Sequence, residues 1–156
     1  MILYHASDVE VREPEIRTTV YAKDFSTGFY CTANYEQAKR WARRDRNRVP
    51  RINHFAFEEL SGLSIKKFGR MTDEWLDFIA DCRGGKDHAY DLVEGPMAND
   101  TIWNYVNDFV NGLISREAFW ALAKFRYPTH QICFHTAESL KCLKFIKCEE
   151  ISRDEV

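Results

Sequence analysis

Phe25-Ser-Thr-Gly-Phe-Tyr-Cys-Thr-Ala-Asn-Tyr-Glu-Gln-Ala-Lys-Arg-Trp41 is the stretch on which the reading of this chain turns. A polar turn ends on Gly28, an aromatic strand follows over 29–32, and a helix starts at once. Asn34 is the N-cap, with Gln37 at the matching third position of a capping box. The pattern predicts a helix to about Arg46, in which Ala38, Trp41 and Ala42 share one face at i, i+3, i+4. Tyr30 thus ends a strand and Trp41 lies one helical reach further on. Two aromatics so placed can be core, or they can form a slot for a planar ring.

Working outward, Ile-Leu-Tyr-His-Ala (2–6) reads as a strand and 7–25 as a long loop, a length that often carries function. Segments 51–60 and 63–68 alternate and are joined by Ser61-Gly62, which predicts a hairpin. Thr72 caps a helix whose Trp75, Phe78, Ile79 and Cys82 line one face and which ends at Gly84-Gly85. A strand over 90–96, helices over 99–111 and 115–126, a strand over 131–136, a short helical turn and a last strand over 144–151 complete the chain. Strands, then helices, then strands predict an α+β fold with a mixed sheet, in a single domain spanning 1–156. Neither a Gly-x-Gly-x-x-Gly turn nor a Walker-type glycine-lysine loop occurs.

A net charge of −2 gives no global attraction to nucleic acid or an anionic membrane. The local exception is Arg40, Arg43, Arg44, Arg46, Arg48 and Arg51, either a solvated helix end or a contact for phosphate or polynucleotide. Five cysteines with no Cys-x-x-Cys fit buried, reduced thiols. His5, His54, His88, His130 and His135 are scattered without metal-ligand spacing, so no metal is expected. The N-terminus does not read as a signal peptide and no stretch reaches membrane-span length, which predicts a cytoplasmic protein.

Three pieces carry a resemblance. Leu3-Tyr-His-Ala-Ser7 resembles the Leu-Trp-His-Gly-Ser strand of ADP-ribosyltransferases of the poly(ADP-ribose) polymerase type. Phe25-Ser-Thr-Gly-Phe-Tyr30 resembles their Phe-Gly-x-Gly-Ile-Tyr strand, and Gln131-Ile-Cys-Phe falls where they carry Glu-Tyr-Ile-Val. The pattern is also similar to a small bacterial family of uncharacterised proteins placed in the same superfamily. What the resemblance implies is a split mixed sheet with inserted helices, holding NAD as substrate in a cleft. His5, Tyr30 and Gln131 would then be the catalytic set. His5 would bind the adenine-side ribose, the Ala6 backbone would hold the nicotinamide amide, and Tyr30 and Trp41 would stack on its ring. Ser7, Gly28, Phe29 and Gln37 would complete the NAD site.

The implied reaction breaks the nicotinamide–ribose bond through an oxocarbenium-like transition state and passes ADP-ribose to a macromolecular acceptor, protein ahead of nucleic acid. This parallels glycoside hydrolysis, except that nicotinamide already leaves well. Two departures bear on it. Gln131 stands where most active members have glutamate; its amide oxygen can accept a bond from the ribose but supplies no charge. Loss of one such electrostatic partner costs about 2.7–4 kcal/mol of transition-state stabilisation. The acceptor would then supply the carboxylate, limiting the enzyme to single transfers, or Asp24, Asp91 or Asp100 would serve. Otherwise the fold binds NAD or ADP-ribose silently, or lets water act as acceptor. Ala38 stands where the polymerase-type pattern has a serine that bonds the nicotinamide amide, a loss that Gln37 or Ser7 could offset. Asn99, an N-cap candidate, and Asp100 could line the cleft or meet the acceptor. Arg12 and Arg17 in the long loop could grip the pyrophosphate. Small size and a lone domain fit a toxin or effector, with a neutralising partner protein.

Overall fold

The computed structural model describes residues 1–17, 24–98, 100–124 and 129–153. Seven strands and five helices alternate along them. They are β1 (Ile2–Ser7), β2 (Phe29–Cys31), α1 (Tyr35–Ala42), β3 (Arg51–Phe57), β4 (Ile65–Lys67), α2 (Asp73–Arg83), β5 (Leu92–Met97), α3 (Asp100–Val110), α4 (Arg116–Ala123), β6 (Thr129–Phe134), α5 (Ala137–Leu140) and β7 (Leu143–Glu150). The α+β class expected from the sequence holds. The strands form two sheets, ordered β1-β3-β7 and β2-β6-β5-β4, antiparallel except for β4 against β5.

The two sheets meet edge to edge at one point. Tyr4 and Thr32 form an isolated bridge, with N–H···O bonds of 2.8 and 3.0 Å in the two directions. Beyond it β1 and β2 part. Strand alternation sets what each face does. Leu3, Phe55 and Leu143 of the first sheet and Phe29, Ile132 and Phe134 of the second share one apolar cluster between the sheets. The opposite face of the second sheet, through Cys133 and Val93, packs under Trp75, Ile79, Ile102, Val106 and Phe119 of α2, α3 and α4. The opposite face of the first sheet, through Tyr4, Ala6 and Ile52, packs under Ala38 and Ala42 of α1.

Three local expectations are corrected. Helix α1 ends at Ala42 rather than Arg46. The Asp45 carboxylate accepts from Asn47 N at 2.9 Å, a turn that competes with helical bonding just where the arginines crowd. The capping box is half-made: Asn34 Oδ1 accepts from Gln37 N at 3.0 Å, but the Gln37 side chain turns inward to Thr32. The predicted hairpin does not form, because both edges of β3 are taken by β1 and β7, while β4 joins the other sheet beside β5. Alternation identifies a strand but not its partner. None of the five cysteines is in a disulfide; four are buried, as expected, and Cys148 is half-buried.

Candidate functional site

The site is built where the sheets part. His5 lies on the inter-sheet side of β1, its ring stacked on Phe29 with centroids 3.9 Å apart. Its Nδ1 bonds the Tyr30 carbonyl at 2.7 Å. A carbonyl only accepts, so Nδ1 is the donor. The imidazole thereby spans the divergence of β1 from β2.

Tyr30 faces the other way, toward Phe25 and the helices. Its hydroxyl donates to Ser26 O at 2.5 Å and accepts from Phe25 N at 3.2 Å, closing the turn that opens β2. Ser26 adopts φ +76°, a left-handed conformation that the turn imposes on a non-glycine residue. Burial above all, then the neighbouring Cys133 thiol, holds the phenol protonated well above its usual range. Gly28 is required for close approach: a Cβ there would sit 2.4 Å from Cys133 Sγ and 2.7 Å from Phe134 O.

Gln131 sits on β6, opposite Gly95 of β5 and on the same sheet face as Tyr30. It is 2% exposed, and its Nε2 is buried without a hydrogen-bond partner. Most buried amides are satisfied, so this one is a polar group held ready or a cost carried by the fold. Beside it runs a polar chain on the strand that abuts β1. Thr32 Oγ1 bonds Gln37 Oε1 at 3.0 Å, accepts from Asn34 N at 3.0 Å and reaches His130 O at 3.2 Å. Gln37 Nε2 lies 3.9 Å from Met97 Sδ.

A pocket of about 310 Å³ opens at the far end of β1. Ala6, Ser7 and Asp8 line it from the strand, Trp41 and Ala42 from α1, and Arg44, Asp45, Arg48 and Val49 from the following segment. Three residues predicted for the nicotinamide end, Ala6, Ser7 and Trp41, are therefore brought together. Tyr30 and Gln131 do not line this pocket. Helix α1 is pinned over it at its other end, where Tyr35 OH donates to Glu149 Oε1 at 2.6 Å and His54 Nε2 donates to the same oxygen at 2.9 Å.

The candidate substitutes for a catalytic glutamate have other partners. Asp24 Oδ1 accepts from Arg83 Nε at 3.0 Å and also from Arg83 Nη2, and Asp24 Oδ2 accepts from Ala98 N at 2.9 Å. Both side chains of this ion pair are buried. Asp91 accepts from Ser64 N at 2.8 Å and from Thr136 Oγ1 at 2.7 Å, bonds that pull its carboxyl below the usual range. Asp100 opens α3, and Asn99 lies outside the described residues. Arg12 and Arg17 are exposed beside Glu10 and Glu15. Among the described residues no group of three or more His, Cys, Asp or Glu could hold a metal, and no helix is long and apolar enough to cross a membrane.

Residues 1–145 match a family described as "Protein of unknown function (DUF3990)". The chain belongs to that family. No curated protein matches it.

In this DUF3990 chain the sequence named Arg44 and Arg48 within the arginine cluster but gave no signal for Asp8 and Asp45 beside them on the pocket rim. It also missed the pair formed by His88 and His135, whose rings meet edge to face at 4.3 Å beneath the turn before β2. His88 Nε2 donates to Phe25 O at 2.9 Å and His135 Nδ1 to Thr27 O at 2.8 Å. The two histidines hold that turn from below.

Proposed function

We propose that the protein is an NAD-dependent mono-ADP-ribosyltransferase of the split-sheet kind, taking NAD at the pocket between the end of β1 and α1. The observation that carries the reading is the gathering of Ala6, Ser7 and Trp41 around one pocket at the end of β1, the strand that also bears His5. The nicotinamide end of NAD lies in that pocket, its amide against the β1 backbone and its ring on Trp41. Offset stacking contributes about 0.5–1.5 kcal/mol beyond area burial. His5 orients the ribose on the adenine side. Gln131 lies outside this pocket; in this reading the ribose extends toward it, and its amide oxygen is the acceptor for the 2′-hydroxyl.

In the reaction the ribose C1′–nicotinamide nitrogen bond breaks and its electron pair leaves with neutral nicotinamide. A new bond forms from C1′ to a carboxylate oxygen of the acceptor, which is already deprotonated and has no proton to lose. Because Gln131 brings no charge, the acceptor supplies the negative partner, and a single ADP-ribose is transferred. The protein in this reading is a small toxin or effector acting on a macromolecule.

One observation favours a second reading, a silent NAD- or ADP-ribose-binding module. The uncharged Gln131 has no replacement in Asp24, whose carboxylate is matched by Arg83. Nicotinamide release by the wild type and by Gln131→Glu separates the two. An enzyme built around glutamine releases nicotinamide as wild type and no faster with glutamate. A rise of about 100-fold or more in the variant, the size of one restored electrostatic partner, identifies a binding module instead.

A further inference from the structure

Helix α1 carries Trp41 and forms one wall of the pocket, yet little of its own sequence holds it there. It has eight residues, a length that is marginal for a helix without tertiary support. Its buried residues are Gln37, Ala38 and Ala42. Two methyl groups cover little apolar area, so burial contributes little to the seating of the helix. The rest of the grip comes from another part of the chain.

It comes from one short segment, residues 149–153, at and just beyond the end of β7. At the start of α1, Glu149 Oε1 takes the bonds from Tyr35 OH at 2.6 Å and His54 Nε2 at 2.9 Å. Under its middle, Ile151 shares a buried cluster with Ala38, Ala42 and Ile52, and its amide donates to Pro50 O at 2.9 Å. At its end, Arg43 Nε donates to Ser152 O at 2.8 Å. Past the helix, Arg153 Nη2 donates to Asp45 O at 2.7 Å, and Asp45 lines the pocket. Holds at Glu149, Ile151, Ser152 and Arg153 thus follow α1 from one end to the other and continue onto the wall after it. None of residues 149–153 lines the pocket itself.

Ties at both ends of a helix and a side chain under its middle fix its position and tilt together. A helix held in this way opens locally when the ties are lost, at a lower cost than unfolding the whole domain. We propose that residues 149–153 are a clasp that positions α1 and the wall after it around the Trp41 pocket, so that a ligand in the pocket and the seating of this segment strengthen each other. Linkage makes the effect reciprocal: whatever the clasp adds to ligand binding, the ligand adds to the clasp. Glu149, Ile151 and Arg153 are positioning residues, acting on the ligand only through α1 and Asp45. The clasp stands on the protein alone; its ligand arm rests on the reading of the pocket as an NAD site.

The test is hydrogen exchange of the full chain, read on peptides by mass spectrometry, in the wild type and in Glu149→Ala, Glu149→Gln and Arg153→Ala. In Glu149→Ala exchange over residues 36–48 is expected to rise about tenfold or more, the size of a hydrogen bond to a charged group. Helix α2 and strand β6 keep their wild-type rates. Glu149→Gln retains an acceptor oxygen for Tyr35 and His54 and stays nearer the wild type. Arg153→Ala, at an exposed side chain, speeds exchange over residues 43–48 without touching the core. Added NAD slows exchange over residues 149–153 as well as over 36–48. The clasp is overturned if Glu149→Ala and Arg153→Ala leave residues 36–48 at the wild-type rate, or if exchange rises equally in α2 and β6. It is also overturned if NAD protects residues 36–48 and leaves 149–153 unchanged. NAD that alters exchange nowhere overturns the NAD reading of the pocket instead, and the substitutions then decide the clasp without it.

Discussion

The two halves of the cleft differ in kind. The β1–α1 half is open, with Ala6, Ser7 and Trp41 around a pocket and charged side chains on its rim. The β2–β6 half is closed: Tyr30 is tied by its hydroxyl to its own turn, Gly28 is wedged against Cys133, and Asp24 is clamped by Arg83. The lesson is a division of labour. Residues of the first half line open space, while those of the second are enclosed in the fold, Gln131 among them with an unsatisfied amide. Substitutions in the closed half therefore act on stability first, and those in the open half on binding.

The strongest way to break that comparison is Arg83→Leu. It leaves the buried Asp24 carboxylate with only the Ala98 amide, and a charge so stranded costs about 3–5 kcal/mol. Urea unfolding should show that loss, and Asp24→Asn in the same chain should recover part of it. A change under 1 kcal/mol would mean that the closed half is not held by this pair.

Acid should act on the same half. Burial lowers the His135 pKa from 6.5 to about 4, with His88 adding to the effect and the Thr27 carbonyl opposing it. The unfolded chain then takes up a proton near pH 6.5 that the folded chain refuses until about pH 4. Stability from this group is complete above pH 6.5 and falls as the pH drops toward 4, by about 3 kcal/mol in all. Denaturant midpoints measured across that window should fall in the wild type and stay flatter in His135→Gln.

Gly28→Ala sharpens the contrast at smaller cost. Its methyl meets a thiol and a backbone oxygen that cannot both withdraw, which predicts a loss of about 1–3 kcal/mol in thermal or urea unfolding. Trp41→Ala is the counterpart in the open half. It should weaken NAD binding by about 0.5–1.5 kcal/mol in calorimetry, while moving the unfolding midpoint far less than Gly28→Ala does. Equal effects on binding and stability would erase the distinction between the halves.

Much of this was legible in the sequence wherever the signal was local. Asn34, Thr72 and Ser115 cap the helices they were expected to cap, because each side chain bonds a backbone amide three residues on. The strand bearing His5, the strand bearing Tyr30 and the helix bearing Trp41 were placed by short-range periodicity. Pairing between distant segments was not legible. The alternation of 63–68 marked β4 as a strand but could not assign it to the second sheet, and no spacing linked Asp24 to Arg83 across 59 residues. Orientation was half legible. Alternation puts Tyr30 and His5 on opposite faces only once the parting of β1 from β2 is known. The arginines of 40–51 were visible as a run, but that Arg43 and Arg51 are anchors depends on Ser152 and Asp8, in two other segments.

The central claim is that NAD is cleaved at the pocket between the end of β1 and α1. The direct measurement is nicotinamide release from NAD by the purified protein, with and without cell lysate, followed together with the intact mass of the protein and of lysate components. The account predicts release that depends on lysate and an ADP-ribose mass added once to a lysate macromolecule. Absence of release at high protein concentration, from a chain that still binds NAD, would contradict it.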